Sequence, residues 1–173
     1  MRWLLLLLLL GSAAAAGLEK APADEGVYVL RGGTEWVELE PAPVAGTRIR
    51  GLETFIESGG YTRFFVDTEL EGAKAARRTT DRFPRFFCRG PFSPADLLIV
   101  RLTLQGGRRL SRTSPAAASM TNKPGFPQED LVRLRTSARD DGSFLAVPED
   151  PLPPGEYLLV TGDVGSGRDF GVD

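Results

Sequence analysis

The chain has no histidine and a single cysteine in 173 residues, and each shortage removes chemistry. Without histidine there is no Ser-His-Asp or Cys-His catalysis, no common zinc site and no imidazole acid–base group. One cysteine rules out an intramolecular disulfide, so the fold must be held by its core alone. Cys88 sits in the strand-like run Phe86-Phe87-Cys88-Arg89 and reads as a small buried apolar side chain. The only asparagine, Asn122, precedes Lys123-Pro124 and forms no glycosylation sequon. Carboxylate pairs, oxygen-ligand metal sites and Ser-Lys chemistry remain open, but no spacing signals them, and no cofactor is expected.

Long apolar runs occur once. Arg2 is followed by Trp3 to Leu10, with seven consecutive leucines, and then by the small residues Ala14-Ala15-Ala16. Residues 1–16 read as a secretory signal peptide. The apolar stretch Trp3 to Ala16 falls short of the roughly 20 residues that span a bilayer as a helix. The expected compartment is therefore periplasmic or extracellular, with cleavage near Ala16 leaving 157 residues. No later run suggests a transmembrane segment, and no cysteine follows the cleavage site to carry a lipid. Residues 17–25 read as a flexible mature N-terminus and 26–173 as one β-rich domain, a length that can bury about 70% of its unfolded surface.

That domain reads as strands and turns. Gly26 to Leu30 and Glu35 to Leu39 flank Arg31-Gly32-Gly33-Thr34, a hairpin signal. Leu52 to Ile56 and Tyr61 to Val66 flank Ser58-Gly59-Gly60 and predict a second hairpin. Arg85 to Arg89 is a short aromatic strand. Leu97 opens a longer one, in which Val100, Leu102 and Leu104 oppose Arg101 and Thr103. Gln105-Gly106-Gly107 turns it toward Arg108 to Thr113, and Ser114 to Gln128 is a loop. Leu131 to Thr136 alternates again, and Asp140-Asp141-Gly142 turns the chain into Ser143 to Val147. Glu156 to Thr161 and Arg168 to Val172 complete the set, with Gly165-Ser166-Gly167, after Asp163, as a hairpin loop between them. Residues 70 to 79 are the one place where a helical turn or two is expected. Proline at 84, 91 and 94 marks crossings between the halves of one core. This is the pattern of an all-β protein, an antiparallel β-sandwich or a partly open barrel.

Near the C-terminus, Leu152-Pro153-Pro154-Gly155-Glu156-Tyr157 places Pro154 and Gly155 as the central pair of a type II turn, with positive φ at the glycine. This motif, the ending Asp169-Phe170-Gly171-Val172-Asp173 and the openings Gly26-Val27-Tyr28 and Trp36-Val37-Glu38-Leu39 resemble secreted bacterial β-sandwich domains of uncharacterised function. The resemblance implies an immunoglobulin-like or transthyretin-like sandwich and an exported context, and no catalytic residue.

Charge is unevenly spread: residues 17–71 carry 5 basic and 11 acidic side chains, 72–139 carry 14 and 4, and 140–173 carry 1 and 8. The densest basic stretch is Lys74, Arg77, Arg78, Arg82, Arg85 and Arg89, interleaved with Phe83, Phe86 and Phe87. It is a candidate contact for an anionic polymer or a membrane surface. Export argues against nucleic acid as the ligand. The competing reading is that basic strands lie between acidic ones and form cross-strand pairs. Asp140-Asp141 and Glu149-Asp150 are acidic pairs on loops without calcium-ligand spacing. Asp169-Phe170-Gly171 matches the kinase magnesium tripeptide in letters only.

These features point to an exported, non-enzymatic binding or structural module of the cell envelope whose partner is another envelope or secreted protein. The rivals are a carboxylate-dependent hydrolase of extracellular polymers and a polyanion or membrane-surface binder acting through residues 74–89. A concave pocket joining two carboxylates would favour the hydrolase. An open sheet edge would favour the binding module.

Overall fold

The computed structural model describes residues 20–60, 64–114, 125–162 and 167–173. Its strands in chain order are β1 (Gly26–Arg31), β2 (Glu35–Glu38), β3 (Val44–Arg50), β4 (Phe65–Leu70), β5 (Arg78–Thr79), β6 (Phe86–Arg89) and β7 (Leu97–Arg101). They continue as β8 (Thr103–Gln105), β9 (Arg108–Thr113), β10 (Leu131–Val132), β11 (Leu134–Ala138), β12 (Phe144–Pro148), β13 (Gly155–Thr161) and β14 (Gly167–Val172). Among the described residues one α-helix, α1 (Leu52–Glu57), lies between β3 and β4.

Three sheets result. Sheet A has the order β11-β12-β6-β1-β2, sheet B the order β10-β7-β13-β14-β5, and sheet C the order β3-β4-β9-β8. Pairing is antiparallel except between β14 and β5. Sheets A and B pack face to face as a β-sandwich. Val27, Val29, Phe86, Cys88, Phe144 and Ala146 from sheet A meet Leu97, Ile99, Tyr157, Leu159, Phe170 and Val172 from sheet B. Period-two alternation puts these residues on the inner faces. Each large side chain buried there contributes about 1.5–3 kcal/mol.

The run Tyr157-Leu158-Leu159-Val160 is buried on both faces of β13. Leu158 and Val160 turn away from the sandwich and, with Val100, meet Leu70 of sheet C and Leu102 in a second core. Sheet B is thus a middle layer, and its central strand is apolar throughout, as a strand covered on both sides must be. Gly167 allows the close packing, because a Cβ there would lie 2.7 Å from Leu158 Cδ1.

Two continuous stretches of chain serve two sheets each. The long strand expected from Leu97 runs from sheet B into sheet C through Leu102, whose N–H donates to the Glu156 carbonyl at 2.8 Å. Residues 131–138 run from sheet B into sheet A through Arg133, whose carbonyl accepts from the Glu149 N–H at 2.9 Å. The prolines at 84 and at 91 and 94 lie where the chain passes from sheet B to A and from A to B, as their positions suggested.

Three local expectations fail. Leu52 to Ile56 is helix, not strand, and the partner of β4 is β3, with Arg48 opposite Asp67 and Arg50 opposite Phe65. Gly51 at φ 77° and Gly59 at φ 63° bound the helix, and Leu52, Phe55 and Ile56 follow the i, i+3, i+4 spacing of a helical face. Residues 70 to 79 hold no helix: Leu70 ends β4, and Arg78–Thr79 form β5. Gly155 is extended and opens β13. The motif is pinned instead by the Tyr157 hydroxyl, which donates to the Pro153 carbonyl at 2.7 Å, a tyrosine-corner arrangement. The signal-peptide segment 1–16, Tyr61 to Arg63, most of the 114–128 loop and Asp163 to Ser166 lie outside the described residues.

Candidate functional site

The basic segment is divided between two sheets, and several of its charges already have partners. Arg78 is held by Glu156 (2.6 Å) and Asp173 (2.6 Å), and these hydrogen bonds raise its pKa and hold the Asp173 carboxyl below the usual range. Gly171 makes this possible, since a Cβ there would stand 2.2 Å from Arg78 Nη1. Arg82 Nε donates to the Leu152 carbonyl at 2.9 Å. Arg89 reaches Asp141 at 2.5 Å and lies over the Phe87 ring at 5.7 Å. Arg77 meets Glu40 at 3.5 Å, while Lys74 and Arg85 are exposed. Arg78 belongs to sheet B and Arg89 to sheet A, so the six charges spread over both layers.

Across the molecule the basic middle of the chain is paired with its acidic flanks. Arg77, Arg78, Arg89, Arg108, Arg109, Arg112 and Arg133 each reach a carboxylate outside residues 72–139. The acidic loop pairs take part. Asp141 accepts from the Ser143 hydroxyl and N–H, which hold its carboxyl below the ordinary value, and Asp150 meets Arg133 at 2.8 Å.

The most buried of these pairs was not legible in the sequence. Arg109 of β9 is fully buried and its guanidinium binds Asp169 of β14. It also donates to the carbonyls of Glu71 (2.6 Å) and Gly72 (3.2 Å). This pair forms the base of a groove of about 710 Å³, lined also by Glu40, Pro43, Glu71, Lys74 and Arg77. Three carboxylates therefore face one concavity. Asp169 is engaged by Arg109 and Glu40 by Arg77, which leaves Glu71 as the carboxylate with no arginine on it among the described residues.

Cys88 is fully buried in the inter-sheet core, and burial pushes its thiol up to about 12. The thiolate is the reactive form. Cys88 is expected to resist an aromatic disulfide reagent at pH 8 in the native protein and to react completely in denaturant. Native reaction within seconds would contradict its placement.

Sheet C presents an open edge. β3 is its outer strand, with neighbour β4 on one side and no strand on the other among the described residues. Val44 is 50% and Ile49 52% exposed, and Ile56 on the adjoining helix is 67% exposed. A seven-residue edge with exposed apolar side chains is a template for strand addition. The sequence carried a signal for β3 in Thr47-Arg48-Ile49-Arg50, a period-two alternation. No family model, no curated protein and no solved structure matches the chain.

Proposed function

We propose that the protein is an exported, non-enzymatic binding module of the cell envelope, and that it engages a partner protein along the open edge of β3. The observation that carries this reading is that edge itself: seven residues long, unpaired on one side among the described residues, and flanked by exposed Val44, Ile49 and Ile56. Backbone groups along such an edge supply affinity, and alternate side chains supply selectivity. Export is supported by Arg2, the leucine run and Ala14-Ala15-Ala16. The hydrolase reading has the groove in its favour, but the groove's most buried carboxylate, Asp169, is held by Arg109, and Glu40 meets Arg77 at 3.5 Å, so only Glu71 has no arginine on it among the described residues.

A photo-crosslinking residue at Thr47 or Ile49, expressed with the full chain in its exporting host, should give one discrete adduct. The same residue at Arg135, on the outer strand of sheet A, should not. Equal labelling at all three positions, or none at the β3 pair, would remove the edge as the contact. Hydrolysis of envelope polymer that vanishes in Glu71→Gln would favour the hydrolase instead.

A further inference from the structure

One face of sheet C has a charge arrangement that the partner-binding reading does not use. Antiparallel register places Arg48 and Arg50 of β3, Asp67 and Glu69 of β4, and Arg108 and Arg112 on or beside β9 on the same side of the sheet. Four guanidinium groups thus share two carboxylates. Glu69 meets Arg48 at 3.1 Å through one oxygen and Arg108 at 2.5 Å through the other. Asp67 is divided likewise between Arg50 (2.6 Å) and Arg112 (3.1 Å).

The depth of these groups decides the sign of the surface. Asp67 and Glu69 are 1% and 12% exposed, whereas Arg48 and Arg108 are 63% and 51% exposed. The carboxylates lie beneath and the arginines above. Because each carboxylate splits its oxygens, each arginine meets it through one nitrogen; Arg50 gives a second to Gln105 Oε1 at 2.7 Å, whereas Arg48 and Arg108, more than half exposed, keep the rest of the planar donor fork free among the described residues. That fork matches phosphate and sulfate oxygens two at a time. The two carboxylates are two residues apart on β4, so the arginine pairs repeat at about 7 Å along the strand. Arg112 also stacks on Phe65 at 5.5 Å and lies near Asp130, whereas Arg48 and Arg108 flank an open depression of about 310 Å³ with Gln105 and Gly106.

We propose that this face of sheet C binds a linear anionic polymer bearing phosphate or sulfate esters, with Arg48 and Arg108 as its principal contacts. The site is separate from the 74–89 stretch and from the backbone edge of β3, and it holds whether or not that edge binds a protein.

The test uses the purified full chain, with long-chain inorganic polyphosphate and heparin as probes, followed by fluorescence anisotropy over a salt series. Binding should be tight at low salt and weaken steeply as salt rises, since it releases counterions. Arg48→Gln with Arg108→Gln should lose at least tenfold in affinity and flatten the salt dependence, while Arg77→Gln with Arg82→Gln should bind like the parent. Glu69→Gln should bind more tightly, because it frees both guanidiniums. That gain cannot come from misfolding. Absence of binding at low salt overturns the proposal. So does equal loss in the two double variants, or binding confined to anionic phosphatidylglycerol vesicles with none to either soluble polymer. A failed crosslink at β3 with polymer binding intact would remove only the edge reading.

Discussion

Arg109→Ala is expected to cost about 3–5 kcal/mol of folding stability, because it strands a buried carboxylate. Asp169 is 12% exposed and its charge is balanced by the Arg109 guanidinium. The same guanidinium satisfies the carbonyls of Glu71 and Gly72, where the chain leaves β4. Its loss leaves one charge and two carbonyls without their partner at the largely buried base of the groove. A change of both partners to apolar residues, Arg109→Met with Asp169→Leu, should recover much of the cost but not all, since the carbonyls stay unmet. Urea denaturation followed by tryptophan fluorescence measures this as a shift in midpoint at unchanged slope. A cost below 1 kcal/mol for Arg109→Ala, or no recovery in the double variant, would show that the pair is not a buried clamp.

Phe170→Ala is expected to match that loss by a different route. Phe170 is fully buried at the centre of the inter-sheet core, 5.0 Å from the Phe86 ring and stacked on Tyr157 at 5.4 Å. Truncation removes its transfer free energy and leaves a cavity between two sheets that cannot collapse onto each other, together about 3–5 kcal/mol. The two ring contacts add to the plain area term. For a domain of this size the melting temperature should drop by roughly 6–20 °C. Phe83→Ala, at a ring that is 45% exposed, should change it little. A Phe170→Ala protein that melts within 2–3 °C of the parent would mean that this core is not packed as described.

These two residues also divide what local pattern reveals from what it hides. The strand that carries Phe170 was legible, since Arg168 to Val172 reads as the strand that follows Glu156 to Thr161. Arg109 was not. Arg108-Arg109 reads as two equivalent surface charges, and their opposite fates follow from register alone. Leu70 pairs with Arg109, which turns Arg109 toward sheet B, while Arg108 turns to the open face and meets Glu69. The helix Leu52–Glu57 was missed because a six-residue segment offers too few turns for its period to stand out against strand-forming residues. The candidate basic residues are divided between two sheets for a related reason. The stretch from Lys74 to Arg89 is continuous in sequence, but past Pro84 the chain passes from sheet B to sheet A.

What the sequence determined by itself is the strand class, most strand positions and the absence of histidine and disulfide chemistry. These depend on period-two patterning, turn residues and composition, all of which act over fewer than about ten residues. Only the tertiary structure decided the third sheet, the double burial of β13, the Arg109–Asp169 clamp and the arginine-faced surface of sheet C. Each depends on contacts between residues distant in the chain, such as Arg48 with Asp67 and Arg109 with Asp169. Their pairing is settled by which strands become neighbours when two faces of sheet B must both be covered, and no local pattern carries that choice.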